Sequence, residues 1–422
     1  MMQPQRNRIQ VFEHQPIYID KTYSNVKFER RYYDALFKLN ELHNDKYFRT
    51  LHNGICFKQY VGVIQVDGLT IEVLPKIDNT KDDTEMWQNA LLEMLRVAKK
   101  IKVQKAGHAH VTKQSTHLLD IYFEWFLNEV RALIHGGLIK QYYKETGNVK
   151  ALKGKLEFAV HISKNLVHKE RFYTTHQIYG TDHLIHQILN KALEIVGRLS
   201  KGTYIYSECK TVQASFPEVA LLKVTKDTFT KLKENRKTAP YNTALEIAKF
   251  IILNYAPDIK GGNENMLALL FDMNMLWEQY ILEQLRIVSL NKNIIIHGQR
   301  AKAFWEGIHN KPDIVIELLK TNYEKKNKYF VIDTKWKDIS SSQPSTQDLR
   351  QMYVYNEYWS SGKAMLLYPS NFTKFDGFKQ FNFLDTKISH HSCGLGRICI
   401  FSENSSNLNN NIGEKILEWF EI

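Results

Sequence analysis

The sequence predicts a multidomain α+β protein, with a β-rich N-terminal domain over residues 1–160, a mainly helical middle region over 161–257 and a C-terminal α/β domain over 258–422. Three observations carry this reading. At 422 residues the chain exceeds what one hydrophobic core ordinarily organises. Its first segment is rich in strand-forming runs, whereas the middle repeats apolar residues at helical spacing. In the last third, apolar β-branched runs alternate with helical patterns.

The strands expected first are Ile9 to Phe12, Cys56 to Gln65 and Leu69 to Leu74, with Asp67-Gly68 as a two-residue hairpin turn and Pro75 ending the hairpin. After the polar stretch Asp78 to Glu85, helical spacing runs from Trp87 to Val97; Lys99, Lys100 and Lys102 follow, where cations suit a helix C-terminus. A second amphipathic run, His117 to Ile134, stops before Gly136-Gly137. Residues 183–198 and 242–256 are again helical in pattern. Between them lies a basic stretch with Lys223, Lys226, Lys231, Lys233, Arg236 and Lys237, readable as a solvated face or as a phosphate-contacting surface. Gly261-Gly262, within Pro257 to Asn265, marks the last linker.

Composition narrows the class. The chain is 43% hydrophobic, 12% aromatic and 24% charged, as in soluble globular proteins. Lys+Arg outnumber Asp+Glu by 57 to 45, a formal charge of +12 that favours an acidic partner such as a phosphate backbone. Four scattered cysteines suit a reducing compartment and make no disulfide framework. Cys393 and Cys399 follow His390 and His391, but their spacing is wrong for a zinc knuckle; His108 and His110 make two ligands at most. The N-terminus lacks an apolar signal core and no apolar run is long enough to span a bilayer, so a cytoplasmic protein is expected.

The chemistry concentrates after Met266. A helix from Asn274 to Ile287, capped by Asp272 or Asn274, precedes strand Pro312 to Leu318, the polar turn Thr321 to Lys328 and strand Tyr329 to Trp336. A helix from Gln347 to Tyr358 and a buried strand Ala364 to Tyr368 follow. In YFVIDTKW, period two places Asp333 and Lys335 on one face of an otherwise apolar strand. If the two strands pair antiparallel, Asp313 comes near the Asp333 end. Two carboxylates and an ammonium would then converge, as metal-assisted phosphodiester hydrolysis requires: carboxylates hold magnesium, the metal acidifies a water, and the lysine orients that water or neutralises developing charge. An Asp/Lys ladder guarding an edge strand would explain D-T-K by itself. Pro312-Asp313 upstream and a preceding helix bearing Glu278 favour the site.

These residues resemble the PD-(D/E)xK nuclease superfamily. That resemblance implies Asp313 and Asp333 as Mg2+ ligands, Lys335 as the catalytic lysine, Glu278 as a helix carboxylate joining the metal and Gln351 as a polar residue of the helix behind. A narrower resemblance covers nearly the whole chain. GLTIEVLPKI (Gly68 to Ile77), LKGKL (Leu152 to Leu156), the segment around Asp182 and Asn190, FDMNMLWEQYI (Phe271 to Ile281), the PD and DTKWK pair and QMYVY (Gln351 to Tyr355) together look like the McrC family, nuclease subunits of McrBC-type restriction systems. The proline often found between that Asp and Asn is absent here.

The McrC resemblance implies a DNA endonuclease subunit whose N-terminal half engages and stimulates a ring of a separate AAA+ GTPase, McrB, with a second copy of the chain for double-strand cutting. The sequence has no G-x-x-x-x-G-K-[ST] phosphate loop, so a nucleotide-driven motor would be another chain. Two other readings remain: a stand-alone nuclease of repair or phage type, and a non-catalytic adaptor binding nucleic acid or a ring ATPase.

Overall fold

The structure is a computed structural model that describes residues 7–66, 68–77, 83–98, 118–233, 235–256, 266–290, 292–320, 327–337, 339, 343–382, 388–402 and 407–422. Asp67, residues 78–82, the lysines at 99, 100 and 102, His108, His110, Gly261, Gly262 and residues 321–326 of the polar turn lie outside the described residues. The chain divides into two compact units, the larger holding residues 7–64, 68–105 and 270–422, the smaller 106–269 with the short pieces 1–6 and 65–67.

This division departs from the 1–160, 161–257 and 258–422 boundaries expected from sequence. The reason is long-range packing inside the larger unit, where N-terminal and C-terminal residues share one core. Trp87 meets Phe401 edge to face at 5.1 Å, and Trp336 Nε1 donates to Glu13 Oε1 at 2.7 Å. No local pattern reports such contacts.

In the larger unit, Asn7–Phe12 runs parallel to Leu69–Leu74 in the register Asn7↔Leu69 to Phe12↔Leu74. Next in this sheet comes the strand Tyr60–Val66. Tyr60–Val66 and Leu69–Leu74 are buried at every position, so both sheet faces are covered. Gly68, at φ +74°, supplies the left-handed residue between them. The single strand expected over Cys56 to Gln65 is two: Gly54–Phe57 pairs with Phe48–Leu51 and Pro16–Tyr18 in a separate sheet. The break falls at Lys58-Gln59, where the Gln59 carbonyl accepts from Met273 N–H at 2.8 Å.

The second sheet of this unit has the order Ile294–Gly298, Ile314–Leu318, Lys328–Thr334, Lys363–Ser370, Ile388–Cys399, Lys374–Asn382. The first three strands are antiparallel neighbours, and Lys328–Thr334 then pairs in parallel with Lys363–Ser370. Val315 and Val331 pack against Met352, Tyr355 and Trp359 of the helix Thr346–Trp359. The alternate residue Phe330 meets Phe420 beyond the helix Ile412–Trp419 at 5.1 Å, so the sheet buries both faces. The helix Met273–Ser289 starts at Asp272, whose Oδ1 accepts from Asn274 N–H at 3.0 Å.

Several strands here have no counterpart in the sequence reading, among them Ile294–Gly298 and Ile388–Cys399. The second carries the residues weighed for zinc. Cys393 is buried, Cys399 half-buried with its Sγ 3.3 Å from Asn371 O, and His391 Nε2 lies 2.6 Å from Glu357.

The smaller unit contains the helices Leu118–His135, Leu184–Leu199, Tyr204–Ser215 and Asn242–Leu253. It also holds nine-residue strands, Gln141–Val149 and Phe172–Gly180, paired antiparallel along their whole length. The first lacks any fully buried residue and the second has two, so an alternating apolar face that would announce them in the sequence is missing. Among the described residues no helix is long and apolar enough to cross a membrane.

Candidate active site

Pro312 cannot donate to a ladder, and the strand Ile314–Leu318 begins just after Asp313. The ladder pairs Ile314 with Ile332, so Asp313 and Asp333 stand one residue beyond that pair, at the same end. Asp313 Oδ2 accepts from the Thr334 N–H at 2.7 Å and from Thr334 Oγ1 at 3.0 Å. Asp333 is 1% exposed, with Leu366 of the parallel neighbour strand beside it, and Lys335 Nζ lies 2.6 Å from its Oδ2. The Lys335 N–H donates to Leu367 O at 2.9 Å, and its ammonium also lies 3.9 Å from Asp348 Oδ1. Asp348 in turn holds Lys337 at 3.0 Å.

Glu278 reaches the same place from the helix Met273–Ser289. Its Oε1 accepts from Gln299 Nε2 at 2.7 Å, while the Gln299 N–H donates to the backbone carbonyl of Asp313 at 2.8 Å, so one residue ties the helix carboxylate to the backbone of the strand's Asp313. Gln351 stands one step away. Its Nε2 donates to Tyr355 OH at 2.7 Å, and that hydroxyl donates to Lys311 O at 3.1 Å. Sequence reasoning thus names four residues that the fold brings together and one at their border. It misses Gln299, Thr334, Tyr355 and Asp348 as site residues; Thr334, inside D-T-K, and Tyr355, at the end of QMYVY, carried a signal.

The electrostatics are those of crowded acids. Burial, then the neighbouring Asp313 charge, pushes Asp333 up to about 6. Burial, then Asp313, pushes Glu278 up to about 7. Asp313 is raised by burial, against the Thr334 hydrogen bonds and Lys335. Burial opposes the charge on Lys335, but Asp333, Asp313 and Asp348 outweigh it and its pKa is raised, so it stays an ammonium.

Among the described residues no three of His, Cys, Asp and Glu are grouped as a ready-made metal cage. Magnesium asks for less, since it keeps several waters and uses one or two protein carboxylates. Asp313 and Asp333 meet that requirement, and their mutual repulsion is what a divalent cation would relieve.

A family model described as "McrBC 5-methylcytosine restriction system component" matches residues 55–369. The chain belongs to this McrBC family. A relative of this McrBC-family chain, the type IV methyl-directed restriction enzyme EcoKMcrBC of Escherichia coli (strain K12), is 24% identical over 293 residues, 65% of this chain and 79% of the relative. Its fold resembles a chain in the solved half-complex from the tetradecameric assembly of Thermococcus gammatolerans McrB AAA+ hexamers with bound McrC. That likeness has a TM-score of 0.67 at 18% identity and covers 98% of this chain and 99% of that one.

Proposed function

We propose that this McrBC-family chain is the Mg2+-dependent DNA endonuclease subunit of its restriction system, acting with a McrB-like AAA+ GTPase ring. The observation that carries the reading is the convergence of Asp313, Asp333 and Glu278 with Lys335 at one end of two paired strands. The McrC-like fold adds the partner, because the similar solved assembly contains McrB hexamers with McrC bound.

Asp313 and Asp333 would hold magnesium, with the Glu278 carboxylate held beside them by Gln299. Magnesium bound there supplies Lewis acidity toward the phosphate and a more acidic water. The chain's own residues do the rest. Thr334 holds Asp313 in orientation, Gln299 does the same for Glu278, and the Lys335 ammonium faces the charge that develops as water adds to phosphorus and the bond to the leaving sugar oxygen breaks. Asp348 and Asp333 keep that ammonium charged and aimed.

The test is nicking of plasmid DNA by the reconstituted complex with magnesium, wild type against Asp333→Asn, with the partner's GTPase rate as a folding control. Loss of cutting with stimulation retained supports the reading; cutting at the wild-type rate would replace it with that of a non-catalytic adaptor.

A further inference from the structure

The smaller unit contains a cavity of about 570 Å3 whose rim carries Lys140, Lys231, Lys233 and Lys237 together with Tyr142 and Tyr179. All four lysines are exposed, and none has a carboxylate partner among the described residues. Like charges around one opening repel each other, and a bound anion relieves that repulsion.

The tyrosines are a directly opposed cross-strand pair of the ribbon, Tyr142↔Tyr179, with ring centroids 4.9 Å apart. They are 71% and 53% exposed, an unusual amount of aromatic surface left to solvent beside a cluster of cations.

The turn that carries Lys237 is held by its own hydrogen bonds. Asn235 Oδ1 accepts from the N–H groups of Lys237 and Thr238 at 2.9 and 3.1 Å, and the Asn235 N–H donates to Thr238 Oγ1 at 2.9 Å. Thr238 is buried, which anchors the turn from below. The backbone at Lys237 is therefore set before any ligand arrives, and less ordering entropy is lost there on binding.

We propose that this groove binds a segment of single-stranded DNA, its phosphates on Lys140, Lys231, Lys233 and Lys237 and an unpaired base against the Tyr142–Tyr179 pair. Cations along a groove with exposed rings beside them match a strand whose bases are free to stack, and a paired duplex would leave the rings unused. An acidic protein segment would satisfy the lysines while leaving the rings without a matching face. The groove uses none of the carboxylate cluster, so the inference stands whether or not that cluster cuts DNA.

The experiment uses the full chain with EDTA present and a labelled oligothymidylate of about 12 nucleotides, the scale of one single-strand site. Unlabelled duplex in excess occupies other DNA-binding surfaces. Anisotropy is followed over a salt series. Lys231→Ala/Lys233→Ala/Lys237→Ala should weaken binding about 10-fold or more near 0.1 M salt and reduce the salt slope by about 2, three contacts at roughly 0.7 each. Tyr142→Ala/Tyr179→Ala should weaken binding by about 10-fold with the slope unchanged, since stacking releases no counterions.

Unchanged affinity and slope in the lysine variant overturn the proposal. So does displacement of the oligonucleotide by millimolar GTP, which would make this a free-nucleotide site. Loss of partner GTPase stimulation with intact oligonucleotide binding would make it a protein-docking surface and overturn it equally.

Discussion

Asp313 Oδ2 accepts two hydrogen bonds from a single residue, Thr334, from its backbone N–H at 2.7 Å and its hydroxyl at 3.0 Å. The hydroxyl alone is open to mutation. Thr334→Val keeps shape and backbone but removes one donor to a half-buried carboxylate, a loss of about 1.5–3 kcal/mol of local interaction. Cleavage by the complex should slow on the order of 10-fold as Asp313 loses its orientation, and Thr334→Ser should restore it. Plasmid cleavage at several magnesium concentrations checks this; a Thr334→Val enzyme with wild-type magnesium dependence would rule out the orienting role.

Lys335 should separate from the carboxylates in a metal-binding experiment. Asp333→Asn removes the charge that attracts the cation, and calorimetric titration with magnesium should show binding far weaker than wild type. Lys335→Ala removes no ligand, so it should bind magnesium at least as well while cutting is abolished. Equal loss of magnesium binding in the two variants would mean that Lys335 serves structure.

The His186 ring sits in a chain of hydrogen bonds that only its neutral form completes. Its Nδ1 donates to Thr181 O at 2.7 Å, its Nε2 accepts from Tyr241 OH at 3.1 Å, and that hydroxyl accepts from Ile139 N–H at 3.0 Å. Burial, then the adjacent His183, pushes His186 down to about 4. The unfolded chain takes up the proton first, near pH 6.5, so stability should decline as pH falls from 6.5 toward 4 and level off below, by up to about 3 kcal/mol. Urea midpoints of wild type and His186→Gln over this range should diverge, the variant being less stable at pH 7 and flatter with pH. Parallel curves would contradict the assignment.

Gly154, at the centre of LKGKL, has φ +72°, and a Cβ there would come 2.3 Å from Thr175 O and 2.7 Å from the His176 Cα. Gly154→Ala should therefore cost more than the ~1 kcal/mol of a left-handed alanine alone, since backbone atoms must move. Hydrogen exchange should show faster opening of Phe172–Gly180 in this variant with Lys328–Thr334 unchanged. Uniform protection in both variant and wild type would remove the packing argument for this glycine.

Local periodicity determined much of what matters here. Period two alone put Asp333 and Lys335 on one face, and the helix Met273–Ser289 was legible from its spacing and from Asp272 ahead of it. Those features are properties of a backbone over a few residues, so the sequence displays them directly. Which elements meet is a different matter. The parallel pairing of Asn7–Phe12 with Leu69–Leu74, the insertion of Lys328–Thr334 beside Lys363–Ser370, and the bridge from Gln299 to Glu278 join residues whose own neighbours in the chain carry no mark of the contact. They are decided when sheets and helices bury both faces of a core at once, since each partner's apolar surface and polar groups are satisfied only in the assembled unit. Tertiary structure likewise converted an ordinary glutamate on a helix into an acid pushed up to about 7, because only there do burial and the charge of Asp313 act on it together.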